Sequence, residues 1–184
     1  MKIILDVECG KSGKPYNIGY LIIKKNKIIK RRSIVILENI KDNQLSNCLT
    51  KILIDLRDKK GRFSYLTNKE FQKKFKQDLV KYKVKKIFAF NCPYDRSKLN
   101  LICAGAHNLT FYDIRKLILP YLTDNFNSFC FTNNYLTKTG KPQTTLEVIY
   151  KYLTGDLKFN QEHTGLSDCL IEFELLKWIK KRDS

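Results

Sequence analysis

The chain contains 184 residues, a length that we expect to form one domain spanning residues 1–184. Apolar residues make up 43% of it and aromatic residues 12%, which excludes an intrinsically disordered chain. The 35 Lys and Arg residues outnumber the 18 Asp and Glu residues and give a formal net charge of +17. We therefore expect an anionic partner, with nucleic acid as the leading candidate. A lysine-rich proteome would be the alternative source of this charge.

The sequence indicates neither a membrane nor an oxidising compartment. No apolar run reaches transmembrane length, and Asp6 and Glu8 interrupt the short N-terminal run, unlike a signal peptide. The cysteines include no Cys-x-x-Cys pair, which argues against a zinc ribbon or a compact disulfide framework. We expect a cytoplasmic protein, and the excess of Lys, Asn and Ile suits an AT-rich bacterial or phage genome. The expected free thiols are Cys9, Cys48, Cys92, Cys103, Cys130 and Cys169.

The first part of the chain predicts three antiparallel strands. Lys2–Cys9 is an apolar run with two acids at its far end, which is typical of a central strand that delivers carboxylates to a site. Residues 17–24 and 27–37 are rich in Ile and Val, and a polar turn at Lys25 and Asn26 joins them.

The middle of the chain predicts two helices, a strand and a third helix. Apolar residues recur at helical spacing in 45–56 and again in 71–82, with a loop around Gly61 between them. Residues 86–91 predict a compact strand, and Pro93 stands where the next helix begins. The apolar residues on these three helices are Leu45, Leu49, Ile52, Leu53, Leu56, Phe71, Phe75, Leu79, Tyr82, Leu99, Ile102 and Cys103.

The last part of the chain predicts one short strand and three helices. The strand is 110–112, a helix follows over 113–122, and the polar segment 123–142 predicts a long loop. Residues 143–153 and 166–181 predict the closing helices. The last helix carries an apolar stripe that would dock it against the sheet, formed by Leu166, Cys169, Leu170, Phe173, Leu176 and Ile179.

Two acids at the end of the first predicted strand are the first candidate site residues. Asp6 and Glu8 are two residues apart, so the period of a strand places both side chains on one face. Their charges repel unless a divalent cation lies between them, and oxygen ligands favour Mg²⁺ or Mn²⁺ over zinc. The alternative is an exposed acidic strand end without function.

Two further segments carry candidate residues. Asp95 follows a strand and falls in the first turn of a helix, where an acid could also simply favour the positive end of the helix dipole. His163 and Asp168 are five residues apart, a separation that turns side chains by roughly 140° on a helix. His163 must therefore precede the last helix if both face one site. His107, in contrast, is expected to be an ordinary surface or core residue.

The order of these motifs resembles the DnaQ-like DEDD exonucleases, in particular their histidine-bearing subclass. The matching motifs are Asp-x-Glu on the first strand, Asn-x-x-Tyr-Asp before a helix, and His-x-x-x-x-Asp at the last helix. The resemblance implies a ribonuclease-H-like α/β fold, with a mixed five-stranded sheet of three antiparallel and then two parallel strands, flanked by helices. Asp113 also falls where the family often has an acid, but we assign it no catalytic role.

The same resemblance implies two-metal hydrolysis of phosphodiester bonds. Asp6, Glu8, Asp95 and Asp168 would hold two Mg²⁺ or Mn²⁺ ions, and His163 would be the general base. The expected activity is that of a 3′→5′ exonuclease that releases nucleoside 5′-monophosphates from DNA or RNA 3′ ends, with single-stranded DNA favoured. A polymerase or replication partner would have to act in trans.

Three residues near these motifs are candidates for substrate binding. Cys9 replaces the Thr that usually follows the first acidic pair and contacts the terminal nucleotide in the family, and Tyr94 replaces the commoner Phe. Asn91 precedes the helix that carries Asp95. Two alternatives remain at this point: a nucleic-acid-binding module on the same fold with weak or no activity, and an exoribonuclease that acts on RNA ends.

Overall fold

The computed structural model describes residues 1–40, 47–58, 61–103 and 109–183, and for 47, 48 and 56–58 it describes the backbone only. Its strands are β1 Lys2–Cys9, β2 Pro15–Lys24, β3 Lys27–Ile36, β4 Ser64–Leu66, β5 Lys86–Ala89 and β6 Thr110–Asp113. Its helices are α1 Leu37–Ile40, α2 Asn47–Asp58, α3 Asn68–Lys81, α4 Cys92–Ile102, α5 Ile114–Ile118, α6 Asp124–Thr132, α7 Leu146–Thr154 and α8 Gly165–Arg182, and a 3₁₀ turn follows α5 at Leu119–Tyr121.

The strands form one mixed sheet in the order β4-β3-β2-β1-β5-β6. β1 lies inside it, antiparallel to β2 and parallel to β5, with Ile4 opposite both Leu21 and Phe88. Because β1 and β5 are parallel, their carboxyl ends meet at one edge of the sheet. The acids at the end of β1 are therefore brought close to the turn that leads from β5 into α4.

Helices cover both faces of the sheet, and the alternation of side chains along β1 explains how. Ile3, Leu5 and Val7 face one core, which contains residues of α3 and α4 such as Phe75 and Leu99. Ile4 faces the other core, which α5, α6, α7 and α8 complete. Asp6 and Glu8 share the parity of Ile4 and so belong to the face that α8 covers.

The predicted α/β class and the three antiparallel strands at the start are confirmed, and the count of five strands is wrong by one. β4 supplies the sixth strand and pairs in parallel with β3, in the segment after Gly61 that was predicted to be a loop. Its three residues, Ser64–Leu66, are too few to show a period of two. The short helix α1 after β3 was not predicted either.

The predicted loop over 123–142 is also wrong in part. Residues Asp124–Thr132 form α6, with Phe126 and Cys130 buried. Polar neighbours hide this helix in the sequence, but its aromatic and thiol side chains recur at the spacing of one helical face. The rest of the segment turns back on itself through an isolated bridge between Leu136 and Pro142.

The other predicted helices are confirmed within a few residues, with one change in α8. Ile171 and Leu175 are buried on α8, whereas Leu170 and Leu176 of the predicted stripe are only partly buried. Leu45, His107 and the side chains of Cys48 and Leu56 lie outside the described residues. In the part of the chain that the structure describes, no helix is both long and apolar enough to cross a bilayer.

Candidate active site

Asp95 is fixed to the backbone of β1, between the two strand acids. Its Oδ1 accepts a hydrogen bond from the backbone N–H of Val7 at 3.0 Å, and the side chain is only 2% exposed. The contact joins α4 to β1 across 88 residues of sequence. Interaction with the helix dipole alone therefore does not account for this acid, because its carboxylate is directed at the strand that carries Asp6 and Glu8.

The turn from β5 into α4 makes this contact possible. Asn91 adopts the left-handed conformation, with φ 60° and ψ 45°. Pro93 follows as the second residue of α4. A residue in the left-handed conformation changes the direction of the backbone sharply. Asn adopts this conformation more readily than most residues. The N–H of Asn91 also donates to Oδ1 of Asp113 at the end of β6, at 3.3 Å.

A contact between two glycines brings the start of α8 against the sheet. A Cβ atom on Gly165 would overlap the backbone of Gly19 in β2 and would lie 2.9 Å from the carbonyl oxygen of Asp6. The N–H of Gly165 donates to Oδ1 of Asn17 at 2.8 Å, which holds the first turn of α8 in place. Asp168, in that turn, is thereby placed beside the end of β1 and is 2% exposed.

His163 reaches the same point from the segment that precedes α8, as the sequence predicted. It has a left-handed backbone with φ 52°, and its side chain is exposed. Glu8, His163 and Asp168 each offer one ligand atom, and these atoms all lie within 4.8 Å of one another. Asp168 is also held by Gln161, whose Nε2 donates to its Oδ2 at 2.7 Å.

Burial raises the pKa of every carboxyl in this group, and repulsion between the carboxylates adds to the shift for Asp6, Glu8 and Asp95. Burial, the largest cause, raises the pKa of Glu8 to about 7 and that of Asp95 to about 8. It raises the pKa of Asp6 well above the usual range, and the nearby charges of Asp95 and other carboxylates add to the shift. The pKa of Asp168 is raised as well, although the Gln161 amide and His163 act in the opposite direction. Each of these acids is thus costly to ionise without a cation.

The residues fit a divalent cation. Oδ2 of Asp6 is inaccessible to solvent and has no hydrogen-bond partner among the described residues. A buried anionic oxygen without a donor is satisfied by a cation or a proton. The surrounding donors are carboxylate oxygens and one imidazole nitrogen, a set that suits Mg²⁺ or Mn²⁺.

Comparison with known proteins identifies the architecture. No protein-family model matches the sequence, and no curated protein sequence matches it. The solved structure of Exonuclease X in complex with 5′ overhanging duplex DNA is similar, with a TM-score of 0.52 at 14% sequence identity. The match covers 99% of this chain and 92% of that chain. The chain therefore has a ribonuclease-H-like α/β fold. At this level of identity the likeness shows the fold alone.

Within this fold, the three residues predicted to bind substrate lie at the end of β1 and at the start of α4. The structure brings Tyr94 and Cys9 together, and their interaction lowers the pKa of Cys9, although burial, the larger cause, raises it. The Tyr94 ring is 43% exposed, and the Nζ of Lys98 lies 5.4 Å from its centroid. Asn91 is exposed immediately before α4, in a cleft that Arg115 and other residues line.

One residue near the site was missed by the sequence analysis. Glu172 lies on α8 one turn after Asp168 and has no solvent exposure. Its Oε1 accepts from the N–H of Phe90 at 2.8 Å. Burial and the charge of Asp95 raise its pKa well above the usual range. The available signal was an acid four residues from Asp168 inside an otherwise apolar helix face. Together, five acids form a carboxylate cluster at the end of β1: Asp6, Glu8, Asp95, Asp168 and Glu172.

Proposed function

We propose that the protein is a metal-dependent 3′→5′ exonuclease of the histidine-bearing DEDD type, with single-stranded DNA as its favoured substrate. The observation that carries this proposal is the convergence of Glu8, His163 and Asp168, with ligand atoms within 4.8 Å of one another. The neighbouring structure of Exonuclease X contains duplex DNA, which supports a nucleic-acid substrate. The formal net charge of +17 supports it independently, since a basic surface attracts phosphates without reading sequence.

Asp6, Glu8, Asp95 and Asp168 would hold two Mg²⁺ or Mn²⁺ ions. When bound, these ions would lower the pKa of the attacking water and stabilise the leaving 3′ oxygen. The protein contributes the orientation of the ligands. The N–H of Val7 binds Oδ1 of Asp95 and so fixes the orientation of that carboxylate against β1. Because such second contacts hold ligands in place, their loss typically weakens metal affinity or activity by about 10–100-fold.

His163 would be the general base that takes a proton from the attacking water. Its exposed imidazole can pass this proton on to solvent after each turnover. His163 also lies close enough to Asp168 to act on it electrostatically, which lowers the pKa of that acid against the larger effect of burial. The left-handed backbone at His163 turns its side chain back over the start of α8, where the ligand atoms of Glu8 and Asp168 lie.

Cys9, Asn91 and Tyr94 would contact the terminal nucleotide. The half-exposed ring of Tyr94 can stack on a base, and Lys98 beside it can contact a phosphate. The product would be a nucleoside 5′-monophosphate. A polymerase or replication protein that acts in trans would be a partner.

The test is hydrolysis of single-stranded DNA and RNA carrying a label at the 5′ or the 3′ end, with Mg²⁺, Mn²⁺ or EDTA. We expect the 5′-labelled strand to shorten stepwise and the 3′-labelled strand to release a labelled mononucleotide, in both cases only with metal. Asp168→Asn is the control for a contaminating nuclease and should be inactive. Metal-independent binding without any shortening would contradict the proposal and support a binding module, and preferential shortening of RNA would make the protein an exoribonuclease.

A further inference from the structure

One carboxylate oxygen of Glu172 makes no hydrogen bond to the described residues. Its Oε1 is occupied by the N–H of Phe90 at 2.8 Å, whereas its Oε2 is buried and has no hydrogen-bond partner among the described residues. A side chain whose only task was to bind Phe90 would need a single neutral acceptor, which Gln offers without a charge. Retaining a carboxylate at a position with no solvent exposure is costly unless a cation makes use of it.

The position of Phe90 places this carboxylate beside Asp6. β1 and β5 are paired in parallel as far as Ile4 opposite Phe88, so the residues that follow, Asp6 and Phe90, lie at the same edge of the sheet. Glu172, bound to the backbone of Phe90, therefore lies next to the strand end that carries the proposed metal ligands. The negative charge of Glu172 is one of the influences that raise the pKa of Asp6, which agrees with this placement.

Asp6 and Glu172 each contain a buried oxygen without a donor. These atoms are Oδ2 of Asp6 and Oε2 of Glu172. On α8, Glu172 follows Asp168 by four residues, so the two acids lie on the same face of the helix and both are turned toward the end of β1. The unused oxygens thus belong to one group of carboxylates that surrounds the same point.

We propose that Glu172 is a fifth carboxylate of the metal centre, a positioning residue whose charge strengthens the binding of a divalent ion by Asp6 and Asp95. The inference rests on the proposed function for the presence of the ions and adds a member to their site. Glu172 would act on the ion through a water molecule or through Asp6, because its own Oε1 remains bound to Phe90. A full negative charge at such short range, in a buried setting, predicts a change in affinity of about 10-fold or more.

The test uses binding of Mn²⁺, measured by calorimetry and by electron paramagnetic resonance, so that it does not depend on turnover. Glu172→Gln keeps the acceptor for Phe90 and removes the charge, whereas Glu172→Asp keeps the charge on a shorter side chain. Glu174→Gln is the matched control, because it removes a charge from an exposed position on the same helix, where Glu174 pairs with Lys177 at 2.8 Å.

We expect Glu172→Gln to bind at least one Mn²⁺ ion about 10-fold more weakly, Glu172→Asp to retain more of the affinity, and Glu174→Gln to match the wild type. The metal-free Glu172→Gln protein should unfold at the wild-type temperature or above it, since a repelling charge is gone. Equal Mn²⁺ affinity in wild type and Glu172→Gln would overturn the inference and leave Glu172 a structural tie to Phe90. Wild-type protein that binds Mn²⁺ but degrades no nucleic acid would instead contradict only the proposed exonuclease activity.

Discussion

Two regions of the protein contain buried acids that are compensated in opposite ways. In the first region, Asp78 lies on α3 where this helix packs against β2 and β3, and it is 5% exposed. Its carboxylate accepts hydrogen bonds from the guanidinium of Arg32 at 3.0 and 3.3 Å and from the hydroxyl of Tyr20 at 2.8 Å. These partners hold the pKa of Asp78 below its usual value, although burial acts against them. In that region the protein itself supplies the positive charge, the guanidinium of Arg32, that compensates the buried acid.

At the end of β1, the charges that act on the carboxylate cluster are mainly those of its own members. The pKa of Asp6, for example, is raised by burial and then by four other carboxylates. A fold that neutralises one buried acid with an arginine and leaves five others to repel each other indicates a missing positive charge at the second place. The difference between the two regions is what a binding site for divalent cations requires.

The largest effects are expected when one acid from each region is replaced. Asp6→Asn should lower the rate of hydrolysis by roughly 10³-fold, because it removes a metal ligand, and should leave the metal-free protein as stable as before or more so. Asp78→Asn should lower the free energy of unfolding by about 2–4 kcal/mol, because it leaves a partly buried Arg32 without its charge partner. Unfolding by urea and a nuclease assay on both variants check the pair. Destabilisation of the metal-free protein by Asp6→Asn would break the comparison.

Replacement of His163 separates hydrolysis from metal binding. His163→Ala should reduce turnover by roughly 10²-fold or more, the usual contribution of a general base. The increase in melting temperature caused by Mn²⁺ should persist, because four carboxylates remain. Activity of the wild type should rise between pH 6 and 8, and this limb should be absent from the variant. A variant that cleaves at the wild-type rate throughout this range would show that His163 is structural.

The two regions should also respond to pH with opposite signs. The pKa values of Glu8 and Asp95 are raised to about 7 and about 8, so the folded protein binds more protons than the unfolded chain above about pH 4. The metal-free protein should therefore lose stability as pH rises toward 8. We expect its melting temperature to fall by about 4 °C or more between pH 5 and 8.

The lowered pKa of Asp78 has the reverse consequence. Its pairing with Arg32 contributes stability above the unfolded pKa of about 3.9, and this contribution is lost as pH falls through the lower folded value. Mn²⁺ should abolish the loss of stability toward pH 8 and leave the loss in acid unchanged. A melting temperature that is flat or rising from pH 5 to 8 without metal would contradict the account of the carboxylate cluster.

The smallest effect is expected for the hydroxyl group of Tyr20. Tyr20→Phe removes one hydrogen bond to Asp78 while Arg32 still pairs with that acid, so it should cost about 1 kcal/mol of stability. Thermal or urea unfolding measures this cost. The stabilisation by Mn²⁺ should be the same as in the wild type, and a reduced metal effect would mean that the two regions are not independent.

Local patterns predicted five of the six strands, whereas contacts between distant residues could not be predicted. The apolar run before Asp6 and the Pro93 that opens α4 are signals within a few residues, and they place their elements correctly. The bond from Val7 to Asp95 spans 88 residues, and Arg32 and Asp78 are 46 apart. The periodicity of apolar residues does not predict such pairings, because they depend on how the helices and strands pack against one another.

Missing local signals also explain the errors. β4 has three residues, too few for alternation to be recognised, and the polar residues of α6 mask the spacing of Phe126 and Cys130. Glu172 was not predicted as a site residue, because the buried face of α8 is recognisable in the sequence by its apolar residues. An acid within such a face has to be explained by a partner or by a function, and the structure shows that only one of its two oxygens has a partner.

The most direct test of the central claim is a crystal structure of the protein grown with Mn²⁺, with anomalous scattering used to locate the metal. The account predicts anomalous peaks at the end of β1, within coordinating distance of Asp6, Glu8, Asp95 or Asp168, and none at Asp78, which Arg32 already neutralises. Absence of any peak at the carboxylate cluster, in crystals that bind Mn²⁺ elsewhere or not at all, would contradict it.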